Sequence, residues 1–186
     1  MRIFIALNIP KKERQRIHRA ARALREEHLP VRWVDPDAYH ITLKFLGDVR
    51  PERVPGIEEA LGRVATSTSP FEMGLGGFGA FPTIRNPRVV WMGVRASPEL
   101  RCLKQDLEWG LADCGFEAET RAFHPHLTLG RTRGQDGAGA FRGLDDLVAT
   151  MSFEGKVQVR TVDLMRSRLS KEGARYSLVS SARLGG

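Results

Sequence analysis

The chain has 186 residues, 41% of them hydrophobic, and no apolar run approaches membrane-spanning length, which predicts a soluble globular protein rather than a membrane protein. Lys and Arg outnumber Asp and Glu by 29 to 22, for a formal net charge of +7. A surplus of this size suits an anionic partner such as nucleic acid or a nucleotide, but an arginine-rich composition can equally reflect the base composition of the genome.

The N-terminus and the cysteines are typical of a cytoplasmic protein. The apolar stretch Arg2–Leu7 is too short for a signal peptide, has no cleavage-site pattern and runs into Lys11 and Lys12, so we expect it to be a first strand. Cys102 and Cys114 lie in a helix-like segment without metal-ligand spacing, which favours reduced thiols. Neither a disulfide framework nor a helical dimer seam is evident, so we expect a monomer.

Hydrophobic periodicity divides the chain into strands and helices. Alternation predicts strands over 2–8, 31–34, 39–45, 71–81, 88–94, 125–131, 151–167 and 176–184. Helical spacing predicts helices over 12–27, 52–64, 98–114 and 144–149, and a glycine-rich loop is expected over 134–139. A strand, a helix and a further strand recur once in each half with no linker between the halves. We therefore predict an α+β protein, one domain over residues 1–186, with two similar lobes facing a cleft.

Two of the predicted strands carry the pattern His-x-Thr-Leu. The first copy is His40–Leu43, reading HITL, and the second is His126–Leu129, reading HLTL. Because residues two apart share one face of a strand, each copy would present one imidazole and one hydroxyl on its polar face. Two such strands at a common cleft would supply two titratable groups and two neutral hydrogen-bond donors. That set suits acid–base chemistry on a phosphate.

Residues next to the motifs extend the candidate site. Lys44 lies two residues past Thr42, so strand parity predicts that it faces the cleft and attracts phosphate. His124 shares the parity of His126, which makes a three-histidine metal site with His40 an alternative. Neither motif contains an acidic or Cys ligand, however, and Thr is a poor zinc ligand, so we predict no metal and no cofactor. The expected core includes three aromatic residues, Phe45, Trp91 and Phe123.

The chain resembles the two-histidine phosphoesterase superfamily, and within it the bacterial and archaeal RNA 2′,3′-cyclic phosphodiesterases, also called 2′-5′ RNA ligases. The resemblance covers nearly the whole chain. It rests on the segments Arg2–Leu7, His40–Gly47, Phe81–Pro82, Pro87–Trp91, Phe123–Arg131, Ser167–Leu169 and Gly173–Tyr176. A single His-x-Thr is a weak signal, whereas two copies in strand context with these flanks are specific.

The resemblance implies a bilobal fold with pseudo-twofold symmetry and a metal-independent reaction that opens a 2′,3′-cyclic phosphate at an RNA 3′ end to a 2′-phosphate. With that product, we expect His126 to act as the base toward water and His40 as the acid toward the 3′-oxygen. Thr42 and Thr128 would donate hydrogen bonds to the non-bridging phosphate oxygens.

The resemblance also indicates that Arg131 contacts the phosphate or the substrate. Arg131 lies five residues past His126, which is the opposite face of an ideal strand. A bulge or a strand end near Gly130 would be needed to bring Arg131 to the cleft.

Three other functions remain open on the sequence. The same histidines could catalyse the reverse reaction, joining a 2′,3′-cyclic phosphate to a 5′-hydroxyl RNA end through a 2′-5′ linkage. The chain could be a non-catalytic module that binds RNA ends or nucleotides, although both histidines and both threonines are intact. It could also hydrolyse a small cyclic nucleotide or an ADP-ribose-type cyclic phosphate, because the physical argument reaches only a cyclic phosphodiester.

Overall fold

A computed structural model of the protein describes residues 1–132, 139–170 and 173–185. The strands are β1 (Arg2–Asn8), β2 (Val31–Trp33), β3 (His40–Asp48), β4 (Phe71–Pro82), β5 (Pro87–Val94), β6 (His126–Thr132), β7 (Glu154–Val159), β8 (Thr161–Ser170) and β9 (Gly173–Arg183). The helices are α1 (Lys11–Ala20), α2 (Arg22–Glu26), α3 (Val54–Ser67), α4 (Pro98–Ala112) and α5 (Leu144–Thr150). The single helix predicted over 12–27 is thus two helices that meet at Ala21. Apart from Gly139, the loop predicted over 134–139 lies outside the described residues.

The strands form one antiparallel sheet with two equivalent halves. Its order is β7-β4-β5-β6-β3-β1-β8-β9, and β2 pairs in addition with β6. The two motif strands β3 and β6 meet at the centre, where Ile41 lies opposite Leu127. Outward from this junction, β3-β1-β8-β9 in one half corresponds to β6-β5-β4-β7 in the other. The predicted α+β class and its two similar lobes are confirmed.

The helices bury the apolar stripes that the sequence predicts. The stripe of α3 consists of Val54, Ile57, Leu61 and Val64, and that of α4 consists of Leu100, Leu103, Leu107 and Leu111; all eight side chains are buried. Both stripes belong to a single hydrophobic core that also contains Ile41, Leu43, Leu127 and Leu129 from the two motif strands. The motif strands are therefore anchored through their apolar residues, which leaves their other face for polar side chains. Among the described residues, no helix is both long and apolar enough to cross a membrane.

Each motif strand contains a bulge directly after its threonine. In the β1–β3 ladder, Thr42 and Lys44 face consecutive residues of β1, so Leu43 is an extra residue. In the β5–β6 ladder, Thr128 and Gly130 face consecutive residues of β5, so Leu129 is the extra residue. Because a bulge inserts one residue, the side chains that follow it change face. This displacement decides which of the predicted site residues reach the cleft.

Candidate active site

The four side chains of the two His-x-Thr motifs lie together on one face of the sheet. Because Ile41 is opposite Leu127 in an antiparallel pair, His40 lies across from Thr128, and Thr42 lies across from His126. Residues that are directly opposite across two strands have Cβ atoms about 5 Å apart. The predicted meeting of the two motifs is therefore found in the structure.

The face carrying the motifs forms the floor of a cleft of about 1040 Å³. His40, Thr42, Thr128 and Arg131 line this cleft, and His126 stands two residues before Thr128 on the same face of β6. All four motif side chains are partly exposed, as side chains that receive a substrate must be. A cleft of this volume has room for a nucleotide-sized ligand.

Both imidazoles are held in the same tautomer by their own loops. Nδ1 of His40 is 2.8 Å from the carbonyl oxygen of Ala38, and Nδ1 of His126 is 2.8 Å from the carbonyl oxygen of His124. A carbonyl oxygen only accepts hydrogen bonds, so each Nδ1 carries the proton and donates it. Nε2 of each ring is left to accept a proton as a neutral imidazole or to donate one as an imidazolium.

The electrostatic surroundings favour the neutral form of both histidines. Burial lowers the pKa of His40 below its usual value, the bond to Ala38 opposes this, and the charges of Arg131 and His126 lower the pKa further. Burial likewise lowers the pKa of His126, the bond to the His124 carbonyl opposes it, and the charges of Arg131 and His124 add to the decrease. One guanidinium therefore acts on both imidazoles. An anion bound between the rings would have the opposite effect and favour protonation.

The bulge in β6 places Arg131 at the cleft, where the resemblance predicts it. Leu129 and Gly130 are both buried, and Arg131 returns to the face that carries His126 and Thr128. Gly130 is required here because β2 pairs with β6 at this point, and a Cβ on residue 130 would lie 2.8 Å from the ring of Trp33. The bulge that Arg131 needs in order to reach the cleft is therefore present, at Leu129.

The equivalent bulge in β3 removes Lys44 from the cleft. Lys44 is only 2% exposed and points into the protein, where its ammonium is paired with Glu108. The prediction that Lys44 binds phosphate is therefore wrong, because simple alternation does not allow for the extra residue Leu43.

The residue that replaces Lys44 at the cleft is Phe45, which we expected in the core. Phe45 is 61% exposed and lines the cleft, at the position in the first motif that Arg131 occupies in the second. Sequence reasoning missed this residue, although both residues lie five positions after their histidines. Their equal spacing was the sequence signal that could have found Phe45, because the resemblance already assigns Arg131 to the substrate.

Each histidine packs against aromatic rings. His40 contacts Phe4 and Tyr176, with ring centroids 5.0 and 4.8 Å away, and these two rings also contact each other. His126 packs edge-on against Phe81 at 5.1 Å. These contacts limit the motion of both imidazoles and supply the burial that lowers their pKa values.

His124, the third histidine of the possible metal site, contributes its backbone to the candidate site. Its side chain is exposed, and its carbonyl oxygen holds His126. Within the described parts of the chain, no group of three or more His, Cys, Asp and Glu side chains is arranged to hold a metal ion.

Comparison with known proteins agrees with this arrangement. A family model described as LigT like Phosphoesterase matches the chain over residues 7–91 and again over 94–176, so that each match contains one motif. The RNA 2′,3′-cyclic phosphodiesterase of Methanothermobacter thermautotrophicus is 32% identical over 184 residues, which cover 99% of each chain.

Solved structures with the same fold include a protein of Thermus thermophilus, with a TM-score of 0.83, 27% identity and coverage of 100% of this chain and 99% of the other. They also include Escherichia coli LigT complexed with 3′-AMP, with a TM-score of 0.76, 28% identity and coverage of 98% and 97%. The resemblance, and the bilobal two-histidine phosphoesterase fold that it implies, are confirmed. The chain belongs to the LigT-like phosphoesterase family.

Proposed function

We propose that the protein hydrolyses the 2′,3′-cyclic phosphate at an RNA 3′ end to a 2′-phosphate, using His40 and His126 as acid and base without a metal or other cofactor. The single observation that carries the proposal is the matched pair of imidazoles, each with Nδ1 bonded to a carbonyl 2.8 Å away and Nε2 left for the substrate. We further propose that residues 1–186 act as one bilobal domain and as a monomer in the cytoplasm. The name of the Methanothermobacter relative and the 3′-AMP bound by the Escherichia coli structure support the substrate class.

The reaction needs one proton removed and one delivered on opposite sides of phosphorus. Nε2 of neutral His126 takes a proton from water as the water oxygen bonds to phosphorus. The bond from phosphorus to the 3′-oxygen breaks, and Nε2 of protonated His40 gives its proton to that oxygen. The product carries a 2′-phosphate and a 3′-hydroxyl, and the protonation states of the two histidines are exchanged. Proton exchange with solvent restores the starting pair.

Negative charge on the non-bridging oxygens grows during this step and needs donors at fixed positions. Thr42 and Thr128 each lie directly across from a motif histidine, so their hydroxyls can reach the same phosphate. The Arg131 guanidinium adds a positive charge that acts on both histidines, and therefore on an anion between them. Neutral hydroxyls together with one cation can bind the phosphate without a metal ion.

The lowered pKa values give this mechanism a defined pH dependence. In the free protein both imidazoles favour the neutral form, so the acid acquires its proton when the anionic substrate binds. Because kcat/KM reports the free enzyme, its bell-shaped profile should have its optimum below about 6.5, the pKa of an unperturbed histidine. The profile of kcat reports the bound complex and should extend to higher pH.

The proposal is tested with EDTA-treated protein and an RNA oligonucleotide that ends in a 2′,3′-cyclic phosphate. We expect metal-free turnover to the 2′-phosphate, and a decrease in kcat of about 10²- to 10⁴-fold in His40→Ala and in His126→Ala. His124→Ala is the matched control, because it removes a neighbouring imidazole and keeps the carbonyl that holds His126.

Two results would contradict the assignment. A 3′-phosphate product would mean that the 2′-oxygen is the leaving group and that the two histidines have the opposite roles. Binding without turnover, unchanged in both alanine variants, would leave only a binding module. A parallel reaction with added 5′-hydroxyl RNA measures ligation at the same site.

A further inference from the structure

The segment that leads into the second motif decides where His126 stands. Residues 116–125 form neither helix nor strand, and they include His124, whose carbonyl oxygen accepts the bond from Nδ1 of His126. Most of this segment is exposed, including Glu117, Glu119 and Thr120. Phe116 and Phe123 pack against the core, but the residues between them are exposed, so the path of the backbone toward His126 depends on the groups that hold this stretch.

A mostly buried group of charged side chains contacts the inner side of this segment. The ammonium of Lys44 donates to the carbonyl oxygen of Glu117 at 2.8 Å and is paired with Glu108. The ammonium of Lys104 is paired with the same Glu108 and with Glu119 at 2.8 Å. The backbone N–H of Glu119 also donates to Glu108, at 3.2 Å. Lys44, Lys104 and Glu108 are buried, and the partly exposed Glu119 brings the group of two lysines and two glutamates to neutrality, which reduces the cost of burying the other three.

The same group reaches the residues immediately before the histidine. The Lys104 ammonium lies 5.6 Å from the centre of the Phe123 ring, a distance at which a cation is attracted to a ring face. Phe123 precedes His124 directly. The contacts therefore fix the segment at 117, at 119 and at 123, one residue before the carbonyl that orients His126.

In the first half of the chain, the segment before the histidine is held by backbone pairing instead. This segment includes β2, which pairs with β6 so that Trp33 lies opposite Gly130. Gly130 follows the bulge in β6 as Lys44 follows the bulge in β3. The segment before His40 therefore contacts β6, where a β-ladder holds it at Gly130. The segment before His126 contacts β3, where the Lys44 ammonium holds it.

We propose that Lys44 is a positioning residue for His126. By holding the Glu117 carbonyl, Lys44 fixes residues 117–126 so that His126 lies next to the first motif. The effect of Lys44 on turnover rests on the proposed function, whereas its effect on the position and tautomer of His126 does not. A buried ion pair alone contributes little to stability compared with apolar residues of the same volume. The bond from Lys44 to Glu117 gives this pair a second role, which is to join the two motifs.

The test separates positioning from stability with two variants. Lys44→Met removes the bond to Glu117 but also leaves Glu108 with one fewer cation. The double variant Lys44→Met/Glu108→Gln removes one charge of each sign, so the group stays neutral and we expect the fold to be preserved, while the Glu117 carbonyl still lacks the Lys44 donor. Urea denaturation shows whether the double variant recovers stability.

The decisive measurement is the tautomer of each histidine, read from ¹⁵N chemical shifts at pH 8, where neutral imidazole dominates. His124, Arg131 and His40 are the charged or titratable groups that act on His126, and all three are unchanged in both variants. We expect the Nδ1–H tautomer for both catalytic histidines in the unmodified protein. In the double variant, His126 should become a mixture of tautomers while His40 keeps Nδ1–H, and kcat should decrease on the order of 10- to 100-fold.

The proposal is overturned if the double variant keeps Nδ1–H at His126 and turns over as fast as the unmodified protein. It is also overturned if both histidines change together, because that would indicate a general loosening. If the unmodified protein hydrolyses no cyclic phosphate, the proposed function fails, and the tautomer of His126 still decides the role of Lys44.

Discussion

His40 and His126 occupy equivalent positions, but the loops before them are held in different ways. The loop before His40 contains a short 3-10 turn, Pro36–Ala38, in which the Asp35 side chain accepts a bond from the Asp37 backbone at 2.8 Å. The segment before His126 has no such turn and depends on buried lysines from β3 and α4. The segment before His40 is therefore held by a β-ladder and a local turn, and the segment before His126 by side-chain contacts from distant lysines.

The positions after the two bulges differ as well. The first motif presents Phe45 to the cleft, and the second presents Arg131 at the equivalent position. The cleft thus has a symmetric centre of two histidines and two threonines, with an apolar side and a cationic side. A symmetric centre suits an acid and a base that exchange roles, whereas unequal sides suit a substrate with a base at one end and negative charge at the other.

The largest of these effects should come from the symmetric centre. We expect Thr42→Val and Thr128→Val each to lower kcat by about 10²-fold, because each removes one donor to the phosphate oxygens and keeps the shape of the side chain. Thr132→Val is the matched control on the same strand, since the Thr132 hydroxyl donates to Pro87 and not to the cleft. A large decrease in kcat in only one of the two motif variants would contradict the inference that both threonines bind the phosphate equally.

The cationic side should control both affinity and pH dependence. Arg131→Gln removes a charge that lowers the pKa of both histidines, so both pKa values rise and the kcat/KM profile moves to higher pH. The optimum value of kcat/KM should decrease by about 10- to 100-fold, the equivalent of one hydrogen bond to a charged group. Arg63→Gln, on the exposed surface of α3, provides the control. A shift of the profile to lower pH would show that Arg131 does not act on the imidazoles.

The apolar side should control binding of the nucleobase. Stacking of a base on an aromatic side chain contributes about 1 to 3 kcal/mol, so Phe45→Ala should raise KM for a nucleoside 2′,3′-cyclic phosphate by roughly 5- to 100-fold with little change in kcat. Stability should change little, because Phe45 is mostly exposed. A ribose cyclic phosphate without a base is the control substrate, and equal losses with both substrates would exclude stacking.

The sequence predicts the centre of this site better than its sides, for a physical reason. His40, Thr42, His126 and Thr128 all precede the bulges, so the two-residue alternation of an ideal strand holds for them. At Leu43 and at Leu129 each strand contains an extra residue, which ladder hydrogen bonds reveal and a hydropathy pattern does not.

Long-range contacts set a second limit on what the sequence predicts. The core stripes of α3 and α4 follow from helical spacing alone. The pairing of Lys44 with Glu108 joins residues 64 positions apart, and nothing in their local sequence indicates it. The sequence therefore shows which chemistry is present, and the packing of distant elements shows how each histidine is held.

The smallest effect is expected at the loop before His40, and it distinguishes the two loops most clearly. Arg14 donates to the Asp37 carbonyl at 2.6 Å and pairs with the Asp37 carboxylate at 3.4 Å. The Asp37 side chain is largely exposed, so the pair should contribute less than about 1 kcal/mol. The loop keeps its Asp35 cap and the buried Tyr39 next to His40 when Arg14 is removed.

Arg14→Met should therefore change kcat by less than about threefold and leave His40 in the Nδ1–H tautomer. Lys44→Met makes the matching change of a cation to methionine at the other loop, and there we expect His126 to lose its fixed tautomer. The two variants compared by ¹⁵N shifts and urea denaturation test the difference directly. Equal losses at both histidines would mean that the first loop also depends on its long-range cation, and that local turn structure is not enough to place His40.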